Sequence, residues 1–158
     1  MAGSQTPASA SSFVGVLSGT LDEIFWKRFA DEYRQNPNSP TAACFSGMFQ
    51  VGLIFYVALL GLLTPVLRGM VIAANAVAGR PILAGVNKTA WFIVLALSAA
   101  LTSAYLVRRR YWRYRAKSEM AVAYGEKIDR MMIAIKMVGL LACAFIIMAV
   151  MMTLFWLR

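Results

Sequence analysis

The chain contains no histidine. That excludes haem ligation through imidazole, imidazole metal sites and every nucleophile system that relies on a histidine base. Cysteine is nearly as scarce. Cys44 and Cys143 both sit in or beside apolar runs, where a free cysteine behaves as a small hydrophobe. Two cysteines do not make a disulfide framework. Acids number only seven in 158 residues, and none lies inside a long apolar run. The sequence therefore offers no catalytic set, no metal site and no cofactor site, and the chain is not expected to be an enzyme.

Apolar residues are abundant instead. Hydrophobic residues make up 60% of the chain and charged residues 15%, with a mean hydropathy of +0.64. A soluble domain averages roughly 45–50% apolar and about 25% charged residues. The composition predicts an integral membrane protein.

The gaps between successive charges locate the spans. Uncharged stretches of 33, 19 and 21 residues lie at 35–67, 89–107 and 137–157. A membrane helix needs about 20 apolar residues, so each stretch is long enough. The first opens with the polar, proline-rich run Gln35-Asn36-Pro37-Asn38-Ser39-Pro40, which reads as a turn. The expected transmembrane helices are 45–67, 89–107 and 136–157. Between the first two, 68–88 is an outer loop or a helical extension bent at Pro65. Its apolar part, 69–79, is too short to span by itself.

Basic residues set the expected orientation. Twelve of the sixteen Lys and Arg lie before the first span or within 108–136. The positive-inside rule then places the N-terminus inside and the C-terminus outside, as in a bacterial or mitochondrial inner membrane. Trp91 and Trp156 at one level, and Tyr105, Tyr111, Trp112 and Tyr114 at the other, suit interfacial belts. Residues 1–12 are a Ser/Ala-rich polar tail without the basic start and apolar core of a signal peptide.

Residues 13–36 read as an amphipathic helix on the inner side. Thr20 and Glu23 fit a capping box. Phe13, Leu17, Leu21, Ile24, Phe25 and Phe29 share one face, with Lys27, Arg28, Asp31 and Glu32 opposite. Glu23–Lys27 and Arg28–Glu32 are favourable i,i+4 pairs. The charge over 1–34 is −1, unlike the Lys/Arg-rich face of a lipid-surface helix. The aromatic face is accordingly expected to dock on a partner subunit.

The segment 108–135 is expected to form a basic helical hairpin. Span two would continue to about Tyr124, and a second helix would start near Glu126, with Glu126–Arg130 as an i,i+4 pair. Arg108, Arg109, Arg110, Arg113, Arg115 and Lys117 serve first as a topology signal. They are also the candidate contact for anionic lipid headgroups or acidic groups of a partner. A ten-residue basic stretch beside a span does not make a nucleic-acid site.

Within the spans, Ala96, Ala100 and Ala104 recur at i,i+4 beside Ser103, and Gly139 and Cys143 repeat the pattern more weakly. Small residues let helix backbones approach closely in lipid, so these six are the expected helix-packing residues. Six methionines in and before span three read as adaptable packing. The span interiors hold no ionisable residue of the kind that marks proton or ion pathways. The sequence thus predicts an all-α membrane protein: three transmembrane helices, an N-terminal amphipathic helix, and a long inner hairpin between spans two and three. The leading expectation is a non-catalytic subunit of a larger membrane complex, partnered by other membrane subunits and anionic lipid. An oligomeric, holin-like pore and a lipid-binding membrane-shaping protein are the alternatives.

Overall fold

The computed structural model describes residues 8–79 and 88–155, with the side chains of 15–79 and 89–154. Among the described residues five α-helices follow one another: α1 (Ala8–Gln35), α2 (Pro40–Ala78), α3 (Lys88–Tyr111), α4 (Ser118–Glu126) and α5 (Arg130–Phe155). A short 3-10 segment, Trp112–Ala116, joins α3 to α4, and no strand occurs among the described residues. Helices α2, α3 and α5 are each long and apolar enough to cross a membrane, which is compatible with an integral membrane protein.

Helix α1 ends where Asn36 precedes Pro37, because the residue before a proline is pushed out of the helical region. Pro40 then opens α2 at a position where its missing N–H costs nothing. Helix α2 runs unbroken for 39 residues, through Pro65, and stops at Gly79, which takes the left-handed conformation (φ 63°) that caps helix ends. The segment 69–78 therefore continues α2.

Helix α2 lies between α3 and α5 and packs on both, whereas α3 and α5 make no comparable contact with each other. The three form an open row. Where α2 meets α5, Gly61 allows the backbones to touch: a Cβ there would lie 2.9 Å from the Met148 Cα. Helix α1 packs on α2 and α4 and also touches α5. It closes one end of the row over a core that includes Phe25, Phe29, Cys44, Met48, Val51 and Tyr111. A second cluster, Leu60, Leu95 and Ala99 with Met148 and Met152 against it, lies further along the row.

Local structure departs from the sequence expectations at three places. Helix α1 starts at Ala8, within the segment read as a polar tail, so Thr20 does not cap it. The Thr20 hydroxyl instead donates to the Val16 carbonyl (3.0 Å) one turn back. Span two does not continue to Tyr124. The helix tightens at Trp112, and Lys117 leaves the helical region (φ −121°, ψ 43°) before α4 begins. Tertiary packing explains the turn, because it lays Tyr111 on Phe25 (4.3 Å between ring centroids) and Tyr114 on Trp26 (4.4 Å). The last helix starts at Arg130, not Glu126. Asp129 accepts a hydrogen bond from the Met131 N–H (3.1 Å), the usual role of an aspartate at a helix N-cap.

Candidate functional site: a basic rim above a lateral groove

The aromatic face of α1 is covered by the chain itself. Ile24, Phe25 and Phe29 are fully buried and Leu21 nearly so, against α2, Tyr111, Ala121 and Ile133. Leu17 is partly buried on the same cluster. This corrects the expectation of a partner-docking face at Leu21, Ile24, Phe25 and Phe29, which already belong to this chain's own core. The Phe13 side chain lies outside the described residues, as do Arg80, Trp156 and Arg158. Close packing on α4 depends on Gly125, where a Cβ would collide with the Trp26 carbonyl and the Ala30 side chain.

Acids of α1 also turn inward to the chain's own basic residues. The Asp22 carboxylate accepts from Arg110 Nε (3.1 Å) and Nη2 (2.8 Å), and from the Tyr111 hydroxyl (2.7 Å). Glu23 pairs with Lys136, and Asp31 with Arg130 (3.0 Å). Arg34 pairs with Glu126 (2.7 Å), and that hydrogen bond raises the guanidinium pKa above its ordinary value. Of the pairs expected within helices, Arg28–Glu32 forms at 3.5 Å. Glu23 and Glu126 reach across to other elements instead of meeting Lys27 and Arg130. Opposite charges one turn apart gain only a few tenths of a kcal/mol, so partners supplied by packing displace them.

These contacts sort the basic segment. Arg110 is committed to Asp22. Arg108, Arg109, Arg113, Arg115 and Lys117 have no ion pair to a carboxylate among the described residues. Arg108 and Arg115 both lie over the ring of Trp112, with their guanidinium carbons 5.5 and 4.7 Å from its centroid. Two cations thus share one indole with no carboxylate paired to either. Arg113 rests on Tyr114 in the same manner.

Directly beside this rim, a groove of about 1020 Å³ opens between α2 and α3. Phe45, Phe49 and Tyr56 line the α2 side, Ala100 and Ala104 the α3 side, and Arg108 and Trp112 close one end. The Phe45 ring meets Trp112 edge-on at 5.4 Å. Ser103, the polar side chain on the α3 wall, donates to the Gly52 carbonyl at 2.7 Å, so it presents no unmatched donor to the groove.

The small-residue faces sit differently from the sequence expectation. The buried row of α3 is Leu95, Ala99, Ser103, Val107 and Tyr111, at strict i,i+4 spacing. Ala100 and Ala104, one position later, are exposed in the groove, and Ala96 is half-buried. Gly139 and Cys143 face away from α2 and are exposed. Only Ser103 of the six expected packing residues is buried between helices of this chain. The helix is apolar all round, so no polar face marks which apolar row turns inward.

Sequence reasoning did not find Asp22, Trp112 or Phe45. Asp22 carries no local sequence signal for its contact with Arg110, 88 residues away, and only packing brings the two together. Among the described residues no group of three or more acids or cysteines is placed to hold a metal ion. No family model matches the chain, and neither a curated protein nor a solved structure is significantly similar to it.

Proposed function

We propose that the chain is a non-catalytic structural subunit of a larger multi-subunit membrane complex, of the respiratory and ATP-synthase kind or of the bacterial secretion and conjugation kind. The supporting observation is the outward face of α5. Gly139 and Cys143, one turn apart, are exposed while α5 uses other residues to pack on α2. A Cβ added at Gly139 would meet nothing within 4 Å. In lipid, close backbone approach at small residues is a principal source of helix association. An open row of three helices leaves this face available to a neighbouring subunit. In this reading α1 is an amphipathic helix on the inner side, and with 108–129 it forms a clamp there, in a bacterial or mitochondrial inner membrane.

Purification of the tagged protein in mild detergent tests the proposal. Several chains should co-migrate with it in constant ratio on native electrophoresis. Gly139→Leu should release them while leaving the isolated subunit's melting temperature unchanged. A monodisperse monomer with no constant companions would sink the reading.

A further inference from the structure

The groove between α2 and α3 has one charged end and a long apolar body, and the two parts call for one kind of occupant. It runs from Ala100 on α3 to Trp112 at the start of the 3-10 segment, and along α2 from Phe45 to Tyr56. At 1.5 Å per residue each wall is about 17–18 Å long. That is close to half of the roughly 30 Å hydrocarbon thickness of a bilayer. Its volume of about 1020 Å³ is at the upper end of ligand pockets, about 300–1,000 Å³. Arg108 lines the charged end beside Trp112, and Arg115 reaches the same end through its contact with that indole. Neither has an ion pair among the described residues, although Arg34, Arg110, Arg130 and Lys136 at the same end each have a carboxylate.

We infer that this groove is a binding site for one anionic phospholipid. An acyl chain lies along Ala100, Ala104, Phe49 and Leu53, and the phosphate sits between the Arg108 and Arg115 guanidiniums at the level of Trp112. Charge complementarity selects this occupant over a second transmembrane helix. An apolar helix would leave the two guanidiniums unneutralised at its end, whereas a phosphodiester neutralises them and matches their hydrogen-bonding geometry. The two alanines are what keep the groove open. Side chains of leucine or phenylalanine size at Ala100 and Ala104 would obstruct its α3 wall where the acyl chain is placed, on a different row from the buried Leu95, Ala99 and Ser103.

Native mass spectrometry of the full chain, delipidated in detergent and titrated with phosphatidylglycerol or phosphatidylcholine, tests the site. The wild type should bind one phosphatidylglycerol in preference to phosphatidylcholine. Arg108→Gln and Arg115→Gln should each weaken phosphatidylglycerol by about fivefold, the value of one basic residue near an anionic headgroup. Ala100→Phe with Ala104→Leu should abolish the tight site for both lipids. Gly139→Leu, remote from the groove, should leave binding as in the wild type, which separates this site from the proposed assembly face. Equal binding by wild type and the doubly substituted variant would overturn the inference. So would competition by inorganic phosphate alone, which would mean a headgroup site without a tail site. Cross-linking of Ala104→Cys to another chain in native membranes would overturn it too, because a protein helix would then occupy the groove.

Discussion

Asp22 is the residue on which the closed end of the molecule turns. Its carboxylate takes two hydrogen bonds from Arg110 and one from the buried Tyr111 hydroxyl. Removing it leaves a phenol without its partner inside a core, and a guanidinium without its counter-ion. Hydrogen bonds to charged groups are worth about 1.5–3 kcal/mol each when buried. Asp22 and Arg110 are both more than a third exposed, so solvent screening discounts the ion pair and the Tyr111 contact carries most of the loss. Asp22→Ala is expected to destabilise the protein by about 2 kcal/mol, measured as a lower melting temperature in mild detergent. Asp22→Asn, which keeps an acceptor for Tyr111, should lose less. Gly61 acts at the other end of the same scale. Gly61→Leu drives a side chain into the Met148 backbone, and overpacking of this kind costs about 1–3 kcal/mol. Its melting temperature should fall, in contrast to Gly139→Leu, whose new side chain enters open space.

At the scale of elements, the helices themselves were legible in the sequence, and their partners were not. The charge-free stretches at 35–67, 89–107 and 137–157 lie within or largely overlap α2, α3 and α5. Hydropathy over twenty residues is a local sum, so it survives ignorance of the fold. The break at Trp112–Lys117 was not legible. Nothing in Arg108–Lys117 is a helix breaker, and the turn exists because Tyr111 stacks on Phe25 and Tyr114 meets Trp26 edge-on, both on α1. Likewise the apolar stripe of α1 could be read as a stripe, but its covering surface is assembled from residues as far along the chain as Tyr111, Ala121 and Ile133. The start of α5 does carry a local signal, because Asp129 is a good N-cap and Glu126 is not.

For the whole molecule, the consequence of this packing is an asymmetry of charge. The four acids of α1 are engaged with basic partners, and within 108–117 Arg108, Arg109, Arg113, Arg115 and Lys117 are left without a carboxylate among the described residues. If this end faces the inner side, as the distribution of Lys and Arg suggests, a cysteine introduced at Lys117 should react with a membrane-impermeant maleimide only after the membrane is opened. A cysteine at Val77, near the opposite end of α2, should react in intact vesicles of native orientation. The reverse pattern would invert the topology and leave the fold unchanged. A cysteine-free background is available because Cys44 and Cys143 are both free thiols.

Composition and charge spacing by themselves determined that the chain is helical, that three of its helices are long and apolar enough to cross a membrane, and that basic residues gather in one segment. These are properties of short windows, and water-to-lipid transfer acts on each window separately. Tertiary structure alone decided which row of each helix turns inward, that α1 folds onto its own chain, and which cations remain unpaired. In lipid a helix is apolar on every side, so packing geometry, and not polarity, separates an inner face from an outer one. Ala99 and Ala100 differ by one position and by nothing in composition, yet one is sealed against α2 and the other lines an open groove.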